Sequence, residues 1–191
     1  MCIILASASP RRQELLKLFG VPFTVRVADI DETMDPGKAP FEEVARVSRA
    51  KALAVPREPG DVVIAADTIV VCCDKVLGKP RSPEEAVQTL QLLSGRDHQV
   101  MTGCTVLRDD TAVTFTEVTD LHFRELSGRE IARYVASGEP MDKAGSYGIQ
   151  GGAALFCTHM VGDYYNVMGL PVCRLGETLR GIAPDLMEDT L

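Results

Sequence analysis

The sequence has no excess of basic residues. Its 191 residues include 20 Lys and Arg against 27 Asp and Glu, which gives a net charge of −7. Proteins that bind DNA or RNA use clustered cations to replace the phosphate counterions, so this balance argues against a nucleic acid polymer as partner. A small anionic ligand needs only a few cations. We therefore expect any phosphate site to be a local basic cluster on an acidic protein.

Long apolar runs are also missing. The sequence contains no stretch of about 18 apolar residues, which excludes a transmembrane helix. The apolar run at residues 2–6 is short and follows no basic segment, so it lacks the pattern of a signal peptide. These features predict a cytoplasmic protein without a membrane partner.

The cysteines and histidines show no metal-binding spacing. The six cysteines and three histidines form neither a C-x-x-C pair nor a zinc pattern. Most of the cysteines lie in apolar, strand-like segments, so we expect small buried side chains in a reducing compartment. These cysteines are Cys2, Cys72, Cys73, Cys104, Cys157 and Cys173.

Three common motifs of nucleotide and hydrolase chemistry are absent as well. The chain has no Walker motif G-x-x-x-x-G-K-[ST] and no G-x-G-x-x-G turn after a strand. It also has no G-x-S-x-G nucleophile elbow. Any nucleotide site must therefore be built in another way.

The order of the predicted elements indicates a mixed α/β fold. Short apolar runs predict strands, and capping residues followed by helical periodicity predict helices. The predicted strands are 2–6, 23–27, 62–66, 69–73, 76–77, 99–107 and 113–123, with a hairpin of 154–160 and 165–167; the predicted helices are 10–19, 41–55, 83–93, 128–137 and 171–180. Strands that alternate with helices predict a mixed sheet flanked by helices. The length and the absence of a linker favour a single domain, residues 1–191, with two lobes that share one sheet.

Residues 7–12, Ser-Ala-Ser-Pro-Arg-Arg, join a helix start to two arginines. Ser9 is a predicted N-cap and Pro10 the first helical residue. Arg11 and Arg12 in the first turn oppose the helix dipole, a small cost that a bound phosphate would offset. The hydroxyl of Ser7 and the arginine forks would add donors. An ordinary capped helix with solvated arginines explains the same residues equally well.

A carboxylate follows the apolar run at residues 62–66. Asp67, with Thr68 after it, lies where we expect that strand to end. Ligand sites of α/β sheets gather at such strand ends, and a partly buried carboxylate there can act as a general base or hold a divalent metal. A turn aspartate that accepts backbone N–H groups is a strong competing interpretation of the motif taken alone.

Three further charged residues are candidates only if the fold brings them together. Glu32 lies in a polar loop, Lys51 in the helix 41–55, and Lys79 in a turn before Pro80. Taken one by one, each is more typical of a solvated surface charge than of a ligand.

The segment 142–152 is rich in glycine. Glycines at positions 145, 148, 151 and 152 permit unusual dihedral angles and a close approach to a ligand. The carboxamide of Gln150 can donate and accept hydrogen bonds, so it could recognise the edge of a base. A flexible surface loop is the alternative.

These motifs, taken together and in this order, resemble the Maf family. They are S-A-S-P-R-R at 7–12, A-D-T-I-V at 66–70, G-K-P at 78–80, L-S-G-R-x-H at 93–98 and D-K-A-G-S-Y-G-I-Q-G at 142–151. The resemblance covers nearly the whole chain. Maf proteins are nucleoside triphosphate pyrophosphatases, historically linked to septum formation in bacteria. The resemblance implies a fold similar to the inosine triphosphate pyrophosphatases, with two lobes around a central cleft, and a homodimer.

The resemblance also implies roles for single residues. Asp67 would be the catalytic proton acceptor, and Glu32 with Asp67 would bind a divalent metal, Mg or Mn. The residues that would hold phosphate oxygens are Ser7, Arg11, Arg12, Lys51 and Lys79.

Three positions distinguish the branches of the family. Arg11, Thr68 and Gln150 resemble the branch that acts on dTTP, UTP and related or modified pyrimidine nucleotides. The branch that acts on 7-methyl-GTP carries tryptophan, glutamine and glutamate there. Gly78, where an acid is common, and the run Gly-Gly-Ala-Ala at 151–154 depart from the family pattern. A purine-directed enzyme of the same fold and a non-catalytic regulator of septation are the alternatives.

Overall fold

The computed structural model describes residues 2–187. Within these residues the chain forms seven strands and six α-helices. The strands are β1 Ile3–Leu5, β2 Phe23–Val25, β3 Val62–Cys72, β4 Lys75–Leu77, β5 Asp97–Arg108, β6 Thr111–Phe123 and β7 Cys157–Val161. The helices are α1 Pro10–Leu16, α2 Pro40–Ala54, α3 Pro83–Leu93, α4 Gly128–Ala136, α5 Tyr164–Met168 and α6 Val172–Ile182. None of the helices in the described part of the chain has the length and apolar character needed to span a bilayer.

The strands form one mixed sheet in the order β2-β1-β3-β5-β6-β7, with β4 also paired to β3. Strand β1 is parallel to both β2 and β3, and its central residue Ile4 pairs with Thr24 and Val63. Strand β4 is antiparallel to β3, and β7 is antiparallel to β6. The predicted mixed α/β sheet flanked by helices is therefore confirmed.

The chain divides into two compact units. Among the described residues, unit one contains 2–67, 102–117 and 169–187, and unit two contains 68–101 and 118–168. The boundary falls inside β3, β5 and β6, so that each of these strands contributes residues to both units. The assignment of residues 1–191 to a single domain remains a prediction.

Unit one is built on strands that are buried on both faces. All three residues of β1 are buried, as are residues 62–66 of β3, which is typical of parallel strands covered on both sides. Helix α2 covers one face, where Ala52 packs with Ile4 and Val63. Short apolar runs therefore suffice to predict these strands.

Unit two has an aromatic core. Phe123 is fully buried and meets the rings of His98 and Tyr147 edge-on, with centroids 4.7 and 4.8 Å apart. Helices α3 and α4 add Leu90 and Ile131 to this cluster. His98 Nε2 lies 2.9 Å from the hydroxyl of Tyr147, and burial lowers the pKa of His98 to about 4, so its ring is neutral at physiological pH.

Both hydrogen bonds of the predicted capping box form at the start of α4, whereas only one of the two forms at the start of α3. Ser127 Oγ accepts the Glu130 amide, and the Glu130 carboxylate accepts the Ser127 amide. Ser82 Oγ likewise accepts the Glu85 amide, at 3.3 Å. The Glu85 carboxylate, however, accepts the amide of Arg81.

Two strand predictions were wrong. Residues 62–66 and 69–72 belong to one strand, Val62–Cys72, because Asp67-Thr68 contains no glycine or proline to end it and Thr favours extended backbone. The second arm of the predicted hairpin, 165–167, is helical and belongs to α5. The Asp163 carboxylate accepts the Tyr165 amide at 2.7 Å, which favours a helix start over a strand.

The burial of the cysteines was also overestimated. All six are free thiols, and Cys72 and Cys104 are buried as expected. Cys2 and Cys157 are half-buried, while Cys73 and Cys173 are exposed. Cys73 has a φ of 51° and lies in the turn between β3 and β4. The buried strand therefore ends before Cys73, and its side chain is exposed.

Gly103 in β5 allows α2 to lie directly against the sheet. A Cβ at this position would lie 2.7 Å from the Ala45 amide nitrogen and would overlap the Val44 carbonyl. Since the obstacle is helix backbone, which cannot move aside as a side chain can, only glycine fits.

We expect Gly103→Ala to lower the free energy of unfolding by about 1–3 kcal/mol, because α2 must shift outward. Urea denaturation of the purified protein measures this change. Gly181→Ala in α6 is the control, since a Cβ there meets no atom within 4 Å and alanine favours a helix. An unchanged midpoint for Gly103→Ala would contradict the close packing.

Candidate functional site

The ammonium group of Lys51 lies between two carboxylates in unit one. Lys51 Nζ is 2.7 Å from Asp67 Oδ1 and 2.9 Å from Glu32 Oε2. The side chains of Lys51 and Asp67 are 12% and 13% exposed, whereas that of Glu32 is 56% exposed. The sequence-predicted residues Glu32, Lys51 and Asp67 are therefore brought together by the fold.

Each member of this group comes from a different element. Asp67 is the sixth residue of β3, so it lies within a continuous strand and not at the strand end that was predicted. Lys51 lies in the last turn of α2, which packs over β3. Glu32 lies in the irregular segment between β2 and α2.

An ion pair between the buried Glu43 and the exposed Arg46 fixes the segment that carries Glu32. The Glu43 carboxylate in α2 accepts the Asp35 amide at 2.8 Å and pairs with Arg46 Nη2 at 2.9 Å. Arg46 Nη2 in turn donates to the Thr33 carbonyl at 2.8 Å. The hydrogen bond from Arg46 and that from the Asp35 amide lower the pKa of Glu43 to about 2, so it stays ionised.

Glu43 and Arg46 were not among the residues predicted for the site. Their signal in the sequence is the i,i+3 spacing of opposite charges on a helix, which many surface helices share. The backbone contacts to residues 33 and 35 could not be inferred from that spacing.

The segment 7–12 forms the predicted capped helix start. Ser9 has extended dihedral angles and its hydroxyl accepts the Arg12 amide at 3.5 Å, and Pro10 is the first helical residue. Arg12 Nε donates to the Gly169 carbonyl at 2.8 Å, and Nη1 lies 3.2 Å from Ser7 Oγ. Ser7 is buried, so these two contacts hold the guanidinium of Arg12 in one position.

The charge of Arg12 interacts with the carboxylates beside Lys51. Burial lowers the pKa of Arg12, and the negative charge of Asp67, with a smaller contribution from Glu32, opposes this effect. Arg11, the preceding residue in the chain, adds a repulsive contribution. The guanidinium of Arg12 nevertheless remains protonated, because arginine does not lose its proton in proteins. Glu32, Lys51 and Asp67 are in direct contact, and the charge of Arg12 interacts with both carboxylates. We call these four residues, together with Arg11 beside Arg12 in the chain, the charged cluster.

The remaining predicted residues lie in unit two. Thr68 follows Asp67 in β3 and is half-buried. Lys79 is exposed in the segment between β4 and α3, and Gln150 is exposed in the glycine-rich segment. Their participation in the same site as the charged cluster remains a prediction.

The two carboxylates of the cluster carry oxygen ligands of the kind that hard divalent cations prefer. Within residues 2–187 no group of three or more His, Cys, Asp or Glu side chains could hold a metal ion by itself. Mg²⁺, however, is often bound through one or two carboxylates, with substrate phosphates as further ligands. Glu32 and Asp67 both contact the Lys51 ammonium, so the two carboxylates lie next to one positive charge.

The charged cluster can bind an anion and move a proton. Its cations match phosphate oxygens, and a guanidinium can bind two of them at once. The half-buried carboxylate of Asp67 is positioned by Lys51 and can accept a proton from a bound water.

Comparisons with known proteins agree with this chemistry. The model of the Maf-like protein family matches residues 2–182. Relatives from Bacillus cereus (strain AH820) and Bacillus anthracis, each named dTTP/UTP pyrophosphatase, are 50% identical over 179 residues, which cover 93% of this chain and 94% of each relative.

Solved structures share the fold at low sequence identity. The Ham1 protein of Staphylococcus aureus superposes with a TM-score of 0.51 at 16% identity, covering 94% of this chain and 98% of that one. A HAM1 protein from Coxiella burnetii gives a TM-score of 0.50 at 18% identity, with the same coverage. The structural likeness supports the fold class, and the family match with the close relatives settles the family. The chain belongs to the Maf-like protein family.

Proposed function

We propose that this chain is a nucleoside triphosphate pyrophosphatase that hydrolyses dTTP, UTP and related or modified pyrimidine nucleotides to the monophosphate and pyrophosphate. The observation that carries the proposal is the contact of Lys51 with both Asp67 and Glu32, beside the anchored guanidinium of Arg12. The names of the relatives that share half of their residues with this chain support the substrate class.

The cations of the site would bind the triphosphate. A nucleoside triphosphate carries about four negative charges near neutral pH, and phosphoryl transfer depends mainly on positioning and on neutralising this charge. Arg12 is held by Ser7 and Gly169, so its fork is oriented before substrate binds. Ser7, Arg11, Lys51 and Lys79 are the other proposed phosphate ligands.

Asp67 would accept the proton of the attacking water. Water attacks the α-phosphorus, the bond to the bridging oxygen breaks, and pyrophosphate leaves. The proton that water loses passes to the Asp67 carboxylate. Lys51 Nζ, 2.7 Å from Asp67 Oδ1, holds that carboxylate in place. When substrate binds, the ammonium can keep this contact or bind a phosphate oxygen instead.

A divalent cation, Mg or Mn, is the proposed cofactor. Asp67 and Glu32 would hold it, and when bound it neutralises phosphate charge. Glu43 and Arg46 contribute indirectly, because they fix the segment that carries Glu32.

Arg11, Thr68 and Gln150 are the proposed determinants of substrate choice. Gln150 would recognise the edge of the base, since a carboxamide both donates and accepts hydrogen bonds. A homodimer in the cytoplasm is part of the same proposal. Its support is the family resemblance and, for the reducing compartment, the six free thiols.

Pyrophosphate release across a panel of nucleotides tests the activity. We expect dTTP and UTP to be hydrolysed fastest, with 7-methyl-GTP, ITP and GTP well behind, and we expect turnover to require added Mg²⁺ or Mn²⁺. Faster turnover of 7-methyl-GTP would reverse the substrate assignment. A protein that hydrolyses none of these would instead support a non-catalytic regulator.

We expect Asp67→Asn to keep the fold and lower kcat for dTTP by about 100-fold or more, because the amide cannot accept the proton. Steady-state kinetics measure the rate, and thermal unfolding checks the fold. Asp110→Asn is the matched control, since Asp110 is exposed in the turn between β5 and β6. Turnover like that of the native protein in Asp67→Asn would disprove the catalytic role.

Arg12→Lys should raise the KM for dTTP by about tenfold, because the charge remains while the bidentate fork and its contact with Gly169 are lost. Arg57→Lys is the control, because Arg57 is not a predicted site residue and its Nη1 donates to the exposed Leu53 carbonyl at 3.4 Å. Identical kinetics for Arg12→Lys and the native protein would remove Arg12 from the phosphate site.

A further inference from the structure

Gln150 stands at the tip of a tight turn in unit two. The Gly151 amide donates to the Gly148 carbonyl at 3.0 Å, which closes a four-residue turn with Ile149 and Gln150 in the middle. Ile149 is buried, and Gln150 is exposed. The turn therefore anchors one of its two central side chains in the core and directs the other to solvent.

A tyrosine and a glutamate hold both ends of this turn. The Tyr134 hydroxyl accepts the Gly148 amide at 3.0 Å and donates to Glu139 Oε1 at 2.8 Å. Glu139 Oε2 accepts the Gly152 amide at 3.1 Å. We call this pair the Tyr134–Glu139 clamp, because it binds the first residue of the turn and the residue after its last.

Other contacts hold Tyr134 and Glu139 in place. Tyr134 is buried in α4, and its ring meets that of Phe156 edge-on at 5.2 Å. The backbone of Glu139 is held as well, since its carbonyl accepts Lys143 Nζ at 2.6 Å. Burial raises the pKa of Tyr134 above its ordinary value, so the hydroxyl remains a donor to the Glu139 carboxylate.

The glycines of the turn are matched to the clamp. A Cβ at Gly151 would lie 2.7 Å from Glu139 Oε2 and would overlap Oε1. A Cβ at Gly152 would lie 3.2 Å from the Tyr134 ring. The backbone thus approaches the clamp closely because it carries no side chain at these two positions.

The carboxylate of Glu139 is chemically required for this arrangement. It accepts two hydrogen bonds at once, one on each oxygen. A glutamine has the same shape but only one acceptor oxygen, so it can satisfy either Tyr134 or Gly152 in the same way, and not both.

We propose that Tyr134 and Glu139 are positioning residues that hold the turn from which Gln150 recognises the pyrimidine base, and this inference rests on the proposed function. Uracil and thymine present an N–H donor between two carbonyl acceptors, whereas cytosine presents an acceptor beside an amino donor. A carboxamide offers one donor and one acceptor, which can pair with a carbonyl and the N–H of uracil or thymine. The clamp fixes the backbone at Gly148 and Gly152, and so fixes the position from which the Gln150 side chain reaches the base.

Two conservative variants test the clamp directly. Tyr134→Phe keeps the ring and removes the hydroxyl, and Glu139→Gln keeps the shape and removes one acceptor. We expect amide exchange at Gly148 in the first and at Gly152 in the second to accelerate about tenfold, with Gly103 in unit one as the unaffected reference. The glycine cross-peaks of a ¹⁵N-labelled sample measure these rates. Unchanged exchange at both positions would overturn the clamp.

The base-recognition step is tested by a double-mutant cycle. We expect each clamp variant to reduce the ratio of kcat/KM for dTTP over dCTP about tenfold, mainly through the KM for dTTP. In a Gln150→Ala background the same substitutions should have almost no further effect on this ratio, because they act through Gln150. Tyr165→Phe and Glu125→Gln, exposed residues of unit two, are the controls.

The outcomes separate the two proposals. Equal losses for dTTP and dCTP, or losses that add to that of Gln150→Ala, would show a structural role alone and overturn the positioning role. If the unmodified protein hydrolyses neither nucleotide, the proposed function fails, and the base-recognition role fails with it. The exchange rates would still report whether the clamp holds the turn.

Discussion

The ion pair between Lys51 and Asp67 is the interaction on which the charged cluster of unit one depends. Its two side chains are largely withdrawn from solvent and lie on a helix and a strand that must be in close contact for the pair to form. Withdrawing two charges from water costs free energy that their attraction only partly returns, and a pair of apolar residues would hold α2 to the sheet as well or better. Stability alone therefore does not explain this pair, which is consistent with a role in chemistry.

The close contact that the pair needs is prepared by residues without charge. Gly103 lets the backbone of α2 rest on β5 around Val44, and Ser48 in the same helix bonds Thr105 at 2.9 Å. With the helix fixed, Glu43 and Arg46 can hold the segment that carries Glu32. The position of the second carboxylate is thus a consequence of how the helix packs.

The sequence predicted what depends on neighbouring residues and missed what depends on contacts distant in the chain. Ser9, Pro10 and the capping box at Ser127 act over three or four positions, and the structure has them as predicted. Asp67 was correctly placed next to a buried strand, but a strand end was inferred because the apolar run stops at residue 66. The roles of Glu43 and Glu139 could not be predicted, because their hydrogen bonds are made with backbone amides whose positions only the fold defines.

The glycine-rich segment illustrates how such a pattern can mislead. Glycines were expected to permit the approach of a ligand, with a flexible loop as the alternative. In the structure Gly145 lies against Val70, and Gly151 and Gly152 lie against Glu139 and Tyr134, so the close approach is to the protein's own side chains. These glycines therefore need no ligand to explain them. What they make possible is a turn short enough and held firmly enough to present a single carboxamide, that of Gln150, and it is this side chain that bears on recognition.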